Sequence, residues 1–344
     1  LTVPDHAIVI GIDRYPGISD LQGPCNDAQL FREWLINPAG GSLDPANVKM
    51  CLSSEFDPPD GLEDAHPLQS EIERLFRPLS TRAAHGEHID GRLFLFVAGH
   101  GFADPQDMDS AALYAADATD EFHTHVAVEL YASYFRRLWT FNEIFLIFDA
   151  CRTNLPFQRI SSPPLPELQA HANTNKVKMF YGYATGFGSA ARERKFDGVA
   201  HGVFTKTMIA ALESATPNRL GRVTGSIIKD RVHNIFGEVA GDLVVTAPTI
   251  KVDSDKEVLF LQREAAEAVG PETMFQIRDQ YLGQTLIFES FGGVEVIRHT
   301  IVELKFGLRI EPEFYKVLIL ETEENDLIEV RGDAIIIELK FGDA

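Results

Sequence analysis

The sequence predicts an α/β fold, a mainly parallel sheet with helices on both faces, followed by a small C-terminal antiparallel β domain. Three observations carry this. Short apolar runs rich in β-branched residues alternate with segments of helical periodicity up to about residue 262. Two of those runs drive straight into reactive side chains, "FLFVAGHGF" at 94–102 and "IFLIFDACRTN" at 144–154. Reactive groups gather at the carboxyl ends of strands in open parallel sheets. Beyond residue 263 charged residues interleave with Ile, Val and Leu, which is the period-two texture of half-exposed strands.

The elements follow in order. "HAIVIGID" (6–13) reads as a buried parallel strand. In "NDAQLFREWLINP" (26–38), Asn26 or Asp27 is a candidate helix N-cap; Leu30, Trp34 and Leu35 share a face, and Pro38 ends the helix. Residues 48–53 form a second strand and 67–79 a second helix, with Leu68, Ile72, Leu75 and Phe76 at helical spacing. Strand three is 92–99, followed by a helix over 125–138, strand four over 143–151 and strand five over 177–185. Helices over 201–215 and 224–239 and an extended return over 247–262 complete the domain, set at 1–262. A linker (263–273) leads to the β domain (274–344). There "LIFES…VEVIRHTIVELKFG" is echoed by "LILET…LIEVRGDAIIIELKFG", with "ELKFG" recurring 35 residues on. This suggests two copies of a three-strand unit.

Formal charge is −20 and the sequence pI about 4.9. Such acidity argues against nucleic-acid or anionic-membrane partners and suits basic peptides, though it also simply aids solubility. Cys25, Cys51 and Cys151 are odd in number and lack close spacing, so neither a disulfide framework nor a structural zinc site is expected. That usage fits a cytoplasmic location. No apolar run reaches the ~18 residues of a membrane span, and the first residues do not read as a signal peptide.

Consecutive strands usually lie side by side, so the ends at His100 and Cys151 are expected to meet. A thiol attacks as thiolate and needs a neighbour to take its proton. His100 is the candidate base and Cys151 the candidate nucleophile. The backbone N–H groups of Gly101 and Cys151 are candidates to hold a developing oxyanion.

"AGHG", followed by "DAC" with the cysteine 51 positions after the histidine, resembles the caspase and metacaspase cysteine peptidases. "HAIVIGIDRYPGISDLQGPCNDA" is similar to the first strand and loop of bacterial members and metacaspases. "YATGFGSAARERKFDGVAHGVFTKTMIAAL" is similar to the family's fifth strand, substrate loop and next helix. The resemblance covers roughly 6–262 and implies a caspase-like fold and a cysteine endopeptidase without a cofactor. It places Asp27, Asp149, Gly186 and Ser189 in substrate binding. Members that cut after aspartate carry arginines and a glutamine in the pocket for the residue before the cut. Here Asp149 and Asp27 stand instead, as in metacaspases, which cut after Arg or Lys, and a carboxylate floor attracts a guanidinium. Some metacaspases need calcium. Asp104, Asp107, Asp109, Asp117 and Asp120 lack EF-hand spacing, so no metal is expected. Some bacterial relatives serve in defence or cell death, which is a pathway the resemblance implies. The segment 152–176 is long and rich in Pro, Ser and Asn. In the resembling caspases it is the linker cut on maturation, and Arg159 is the candidate processing site. Residues 186–195 are expected to be a mobile substrate loop, and the β domain is expected to recruit an activator or regulator. Two alternatives remain: a non-catalytic scaffold acting through the β domain, and a peptidase with acidic specificity.

Overall fold

The computed structural model describes residues 4–104, 106–107, 110–154, 159–218, 220–252, 257–263, 272–290, 295–310, 314–331 and 336–341. Asp109, one of the aspartates weighed for calcium, most of the linker (264–271) and Gln158 before Arg159 lie outside the described residues. The chain divides into two compact units, residues 1–215 with 225–260, and residues 216–224 with 261–344. Thr216–Thr224, which the sequence placed within the first domain, groups with the second unit.

The first unit is built on β1 (His6–Gly11), β2 (Val48–Leu52), β3 (Ile89–Gly99), β4 (Gly101–Ala103), β5 (Ala112–Tyr114), β6 (His125–Val126), β7 (Phe141–Ala150), β8 (Thr153–Asn154), β9 (Lys178–Tyr183), β10 (Glu193–Phe196) and β11 (Val199–Gly202). The second unit contributes β12 (Arg222–Thr224), and the first contributes β13 (Thr249–Val252); β14 (Leu259–Gln262) spans the boundary between them. The helices are α1 (Pro24–Ile36), α2 (Gln69–Ala84), α3 (Val128–Arg137), α4 (Val203–Ser214) and α5 (Gly225–Ala240). The main sheet runs β13-β9-β7-β3-β1-β2, parallel except for β13. This is the α/β class the sequence predicts.

The two faces of this sheet carry different chemistry. Leu93, Leu95 and Val97 of β3 join the core with Ile72 and Phe76 of α2 and Phe135 of α3. The alternate residues Phe94 and Phe96 face the other way. Phe96 stacks on Phe31 of α1 at 4.7 Å and Phe94 on Phe145 of β7 at 4.4 Å. Strand alternation therefore turns the aliphatic residues of β3 to one face and its phenylalanines to the other. Fully burying each such phenylalanine contributes about 1.5–3 kcal/mol.

Three local expectations are corrected. Helix α1 starts at Pro24 with Gly23 as N-cap, so Asn26 and Asp27 lie inside its first turn. Proline at the first helical position has the right φ and no N–H to lose. His125–Val126 is strand, and helix α3 begins only at Val128. His201 and Gly202 pair with Arg194 and Glu193 in a hairpin, so the expected loop 186–195 is strand from Glu193 onward. The turn is Asp197-Gly198, both with positive φ, a hairpin dipeptide.

The second unit, besides 216–224, holds β15 (Glu272–Gln276), β16 (Thr285–Ser290), β17 (Glu295–Thr300), β18 (Lys305–Arg309), β19 (Phe314–Ile319), β20 (Asn325–Glu329) and β21 (Ile337–Glu338). Its sheets run β17-β16-β19-β20 and β18-β15-β21. All pairings are antiparallel except β15 with β21, a departure from the expected all-antiparallel module. The two "ELKFG" segments flank β15 on opposite sides. Phe306 and Phe341 within them are both buried. The "LIFES" and "LILET" echoes do not share a role. The first lies in β16, whereas the second runs past the end of β19 into a turn. Among the described residues no helix is long and apolar enough to cross a membrane.

Candidate active site

Strands β3 and β7 end together. Ala98 stands opposite Asp149 and Gly99 opposite Ala150. Past the sheet's edge the chains stay side by side, with Phe102 of β4 opposite Thr153 of β8 and Ala103 opposite Asn154. The offset is 51 residues on both sides of the gap, and 51 residues also separate His100 from Cys151. The two residues are thus held at one level between two parallel ladders.

The glycines around His100 answer to space. A Cβ on Gly99 would lie 2.5 Å from the Tyr15 hydroxyl. That hydroxyl accepts the His100 N–H at 3.1 Å, and the Tyr15 ring meets the imidazole edge-on at 4.8 Å. A Cβ on Gly101 would lie 2.9 Å from the Ala112 and Cys151 carbonyl oxygens and the Ala150 methyl. Only a bare backbone lets the two strand ends touch here.

His100 Nε2 lies 2.8 Å from the Ser19 carbonyl oxygen. A carbonyl only accepts, so Nε2 carries the hydrogen and Nδ1 keeps its lone pair. Cys151 is half-buried. Burial pushes its thiol up; the Ala191 N–H opposes this, the Asp149 charge adds to it, and the Arg192 charge opposes it. The resting group is a thiol that needs a base. Arg152, the next residue, is buried over the Tyr183 ring, its guanidinium 4.0 Å from the centroid. Its backbone N–H donates to the Ser189 carbonyl at 3.0 Å and its carbonyl accepts from Gly188 at 2.8 Å. Ser189 also donates its N–H to the Gly186 carbonyl. The expected substrate residues Gly186 and Ser189 therefore sit in a turn locked to the residue after the thiol.

Asp27 and Asp149 are both buried and meet at the start of α4. Asp27 accepts the His201 Nδ1–H and the Gly202 N–H, each at 2.8 Å. Asp149 Oδ2 accepts the Thr205 N–H at 3.0 Å and its hydroxyl at 2.5 Å. A Cβ on Gly202 would overlap the Asp149 carboxylate and lie 3.0 Å from that of Asp27. The amide ends of a helix N-terminus favour such charges. Burial, with the charge of Asp27, nevertheless raises Asp149 to about 7. Burial likewise holds Asp27 well above the usual carboxylate range, opposed by the Gly202 N–H.

Sequence reasoning missed two members of this site. Glu193 accepts the Gly23 N–H at 2.9 Å and adds negative charge beside Asp27 and Asp149. Arg192, exposed, lines the narrow cleft next to Asp149 together with Ala190 and Ala191. The expectation of a pocket without arginines is thus incomplete. The partner of Glu193 lies 170 residues away and Asp149 is remote from Arg192 in sequence, so no local signal marked them. Among the aspartates weighed for calcium, Asp104 pairs with Arg159 and Asp117 accepts from Thr124. No group of three or more His, Cys, Asp or Glu that could hold a metal occurs among the described residues.

Comparison with known proteins places this geometry. The caspase domain profile of the C14 peptidases matches residues 4–240. The chain is similar in structure to caspase-1 from Spodoptera frugiperda, at 14% identity and a TM-score of 0.47 over 76% of this chain and 92% of that one. No curated protein matches it in sequence. With two-thirds of its length matched, and with an α/β sheet carrying a cysteine and a histidine at adjacent strand ends, the chain belongs to the caspase-domain family of cysteine peptidases.

Proposed function

We propose that the protein is a cysteine endopeptidase that cuts after Arg or Lys, with Cys151 as nucleophile and His100 as base. The observation that carries this is the shared 51-residue offset that levels the two residues. The Cys151 proton passes to His100 Nδ1, sulfur bonds to the substrate carbonyl carbon, and the oxyanion lies toward the Gly101 and Cys151 N–H groups. The C–N bond then breaks, with His100 returning the proton to the leaving amine. Water hydrolyses the thioester and restores the thiol.

Specificity rests on Asp149, which lines the cleft, with the charges of Asp27 and Glu193 near it; together they attract a guanidinium or ammonium and repel a substrate aspartate. The cleft beside Asp149 holds scarcely a water molecule, so side-chain entry requires the 186–192 turn to move. Arg192 at that cleft favours a second reading, an acidic residue before the cut. Fluorogenic peptides differing only in Arg, Lys, Asp or Leu before the cut decide between them, with Cys151→Ala as control. Turnover of Arg and Lys peptides alone is expected. Turnover of Asp peptides alone rejects the basic pocket, and none at all from folded protein points to a scaffold. The role implied by the resemblance is regulated proteolysis in defence or cell death; no cofactor is expected, and the β domain, which lies outside the resemblance, would recruit an activator or regulator.

A further inference from the structure

The segment after the nucleophile is expected to be a loose linker, yet its described part is tied down along its length. Arg159 Nη1 donates to Asp104 Oδ1 at 2.8 Å. The Asp104 carboxylate also accepts from the Gln106 N–H, and that bond, with the one from Arg159, holds it below the usual carboxylate range. One residue on, the Ser161 N–H donates to His125 Nε2 at 2.9 Å. The His125 ring is buried, donates through Nδ1 to the His123 carbonyl, and meets Phe102 edge-on at 5.0 Å. Ile160 and Leu165 pack against the core. At the far end His171 stacks on Trp139 at 4.9 Å and donates its N–H to the Arg137 carbonyl at 2.9 Å.

The two grips nearest Arg159 act on either side of one peptide bond. Asp104 holds the side chain before the Arg159–Ile160 bond, and His125 holds the Ser161 N–H after it. A protease that cuts after arginine must take the guanidinium into its own acidic pocket and lay the backbone out extended. Asp104 occupies that guanidinium, and His125 occupies the Ser161 amide. Asp104 follows directly on β4, two residues past Phe102, so the grip is rooted beside His100.

We infer that Asp104 and His125 form a clasp that keeps the Arg159–Ile160 bond from being cut, and that opening this clasp gates processing of the linker. Only the identity of the cutting enzyme rests on the function proposed above. The neighbouring Arg152 needs no such guard, being buried over Tyr183.

The test uses the full chain carrying Cys151→Ala, which cannot cut itself, and trypsin as external probe at pH 8, read by intact mass. Adding Asp104→Ala is expected to raise the rate of cutting after Arg159 about five- to tenfold, the scale on which a local opening governs proteolysis. His125→Phe keeps the ring packing, removes the acceptor for Ser161 together with the Nδ1 bond to the His123 carbonyl, and is expected to give about a fivefold rise. Cutting after Lys195 in the exposed hairpin is the internal control and should not change. Equal rates at Arg159 in all three proteins, or equal rises at Arg159 and Lys195, overturn the clasp. The same substitutions in the active chain separate the two readings. Earlier self-nicking after Arg159 supports both. Acceleration with trypsin but no self-nicking upholds the clasp and removes self-processing.

Discussion

Asp27 and Asp149 come from different elements, the first turn of α1 and the end of β7, yet their carboxylates grip the backbone of one short stretch, Gly202–Thr205. Each is thereby both a candidate substrate ligand and an acceptor for the start of α4. The two jobs conflict, because charge that suits a basic substrate is costly to bury.

The conflict sets a pH dependence. Asp149, raised to about 7, is largely protonated at pH 6 and largely ionised at pH 8. Cleavage of Arg peptides by wild type is expected to rise several-fold over that interval through kcat/KM. A Leu peptide, if turned over, should lack this step. A flat Arg profile from pH 6 to 8 would separate Asp149 from recognition.

The same shift has a stability consequence of opposite sense. A carboxyl whose folded pKa lies above its unfolded value binds more protons when folded, so its contribution falls as pH rises from about 4 to 7. Asp149→Asn keeps an acceptor for Thr205 and removes the charge. At pH 8 it is expected to raise unfolding free energy by roughly 2–4 kcal/mol and at pH 4 by little. Its kcat/KM for Arg peptides should fall at least tenfold. Urea titrations at the two pH values and peptide assays measure both.

His100→Ala and Cys151→Ala are each expected to lower turnover by about 10²–10⁴ or more with melting temperature within a few degrees of wild type. Gly101→Ala should act differently. Its methyl would strike two carbonyl oxygens and Ala150, costing about 1–3 kcal/mol of stability together with activity. Thermal melts beside kcat tell the two classes apart.

The clasp should itself respond to acid. Burial lowers His125, the His123 carbonyl bond and Glu73 oppose that, and the His123 charge adds to it. Phe102 and the linker at Ser161 complete its surroundings. A depressed histidine stabilises its neutral bonds above its unfolded pKa and loses them as pH falls through the folded value. As pH falls through that lowered value the ring gains a proton on Nε2 and no longer accepts from Ser161. Exchange of the Ser161 amide, corrected for its intrinsic pH dependence, is expected to lose protection as pH falls below the ordinary histidine range. The His125→Phe variant should show none of this change.

Much of the first unit was legible because its strands are buried on both faces and read as unbroken apolar runs. His100 and Cys151 stood out at two such ends. Elements whose ends depend on backbone detail were less legible. Pro24 set the start of α1 through a fixed φ, and the Asp197-Gly198 turn signalled a hairpin that helical periodicity over 201–215 obscured. The contact of Asp27 with Gly202 spans 175 residues, and that of Glu193 with Gly23 spans 170. Nothing local encodes such meetings. In the second unit the "ELKFG" repeat was visible, but its placement on both flanks of β15 depends on sheet pairing.

The linker joins two strands, β7 and β9, that are already neighbours in one sheet. Severing it leaves the parallel ladder between them intact, along with the contacts of Phe145 with Phe180 and of Asp27 and Asp149 with α4. The covalent link across 152–176 is therefore dispensable for cohesion. A chain synthesised as two polypeptides divided after Arg159 should assemble by mass action into the same sheet, with the proposed catalytic pair supplied wholly by the first and the helix start that Asp27 and Asp149 grip supplied by the second.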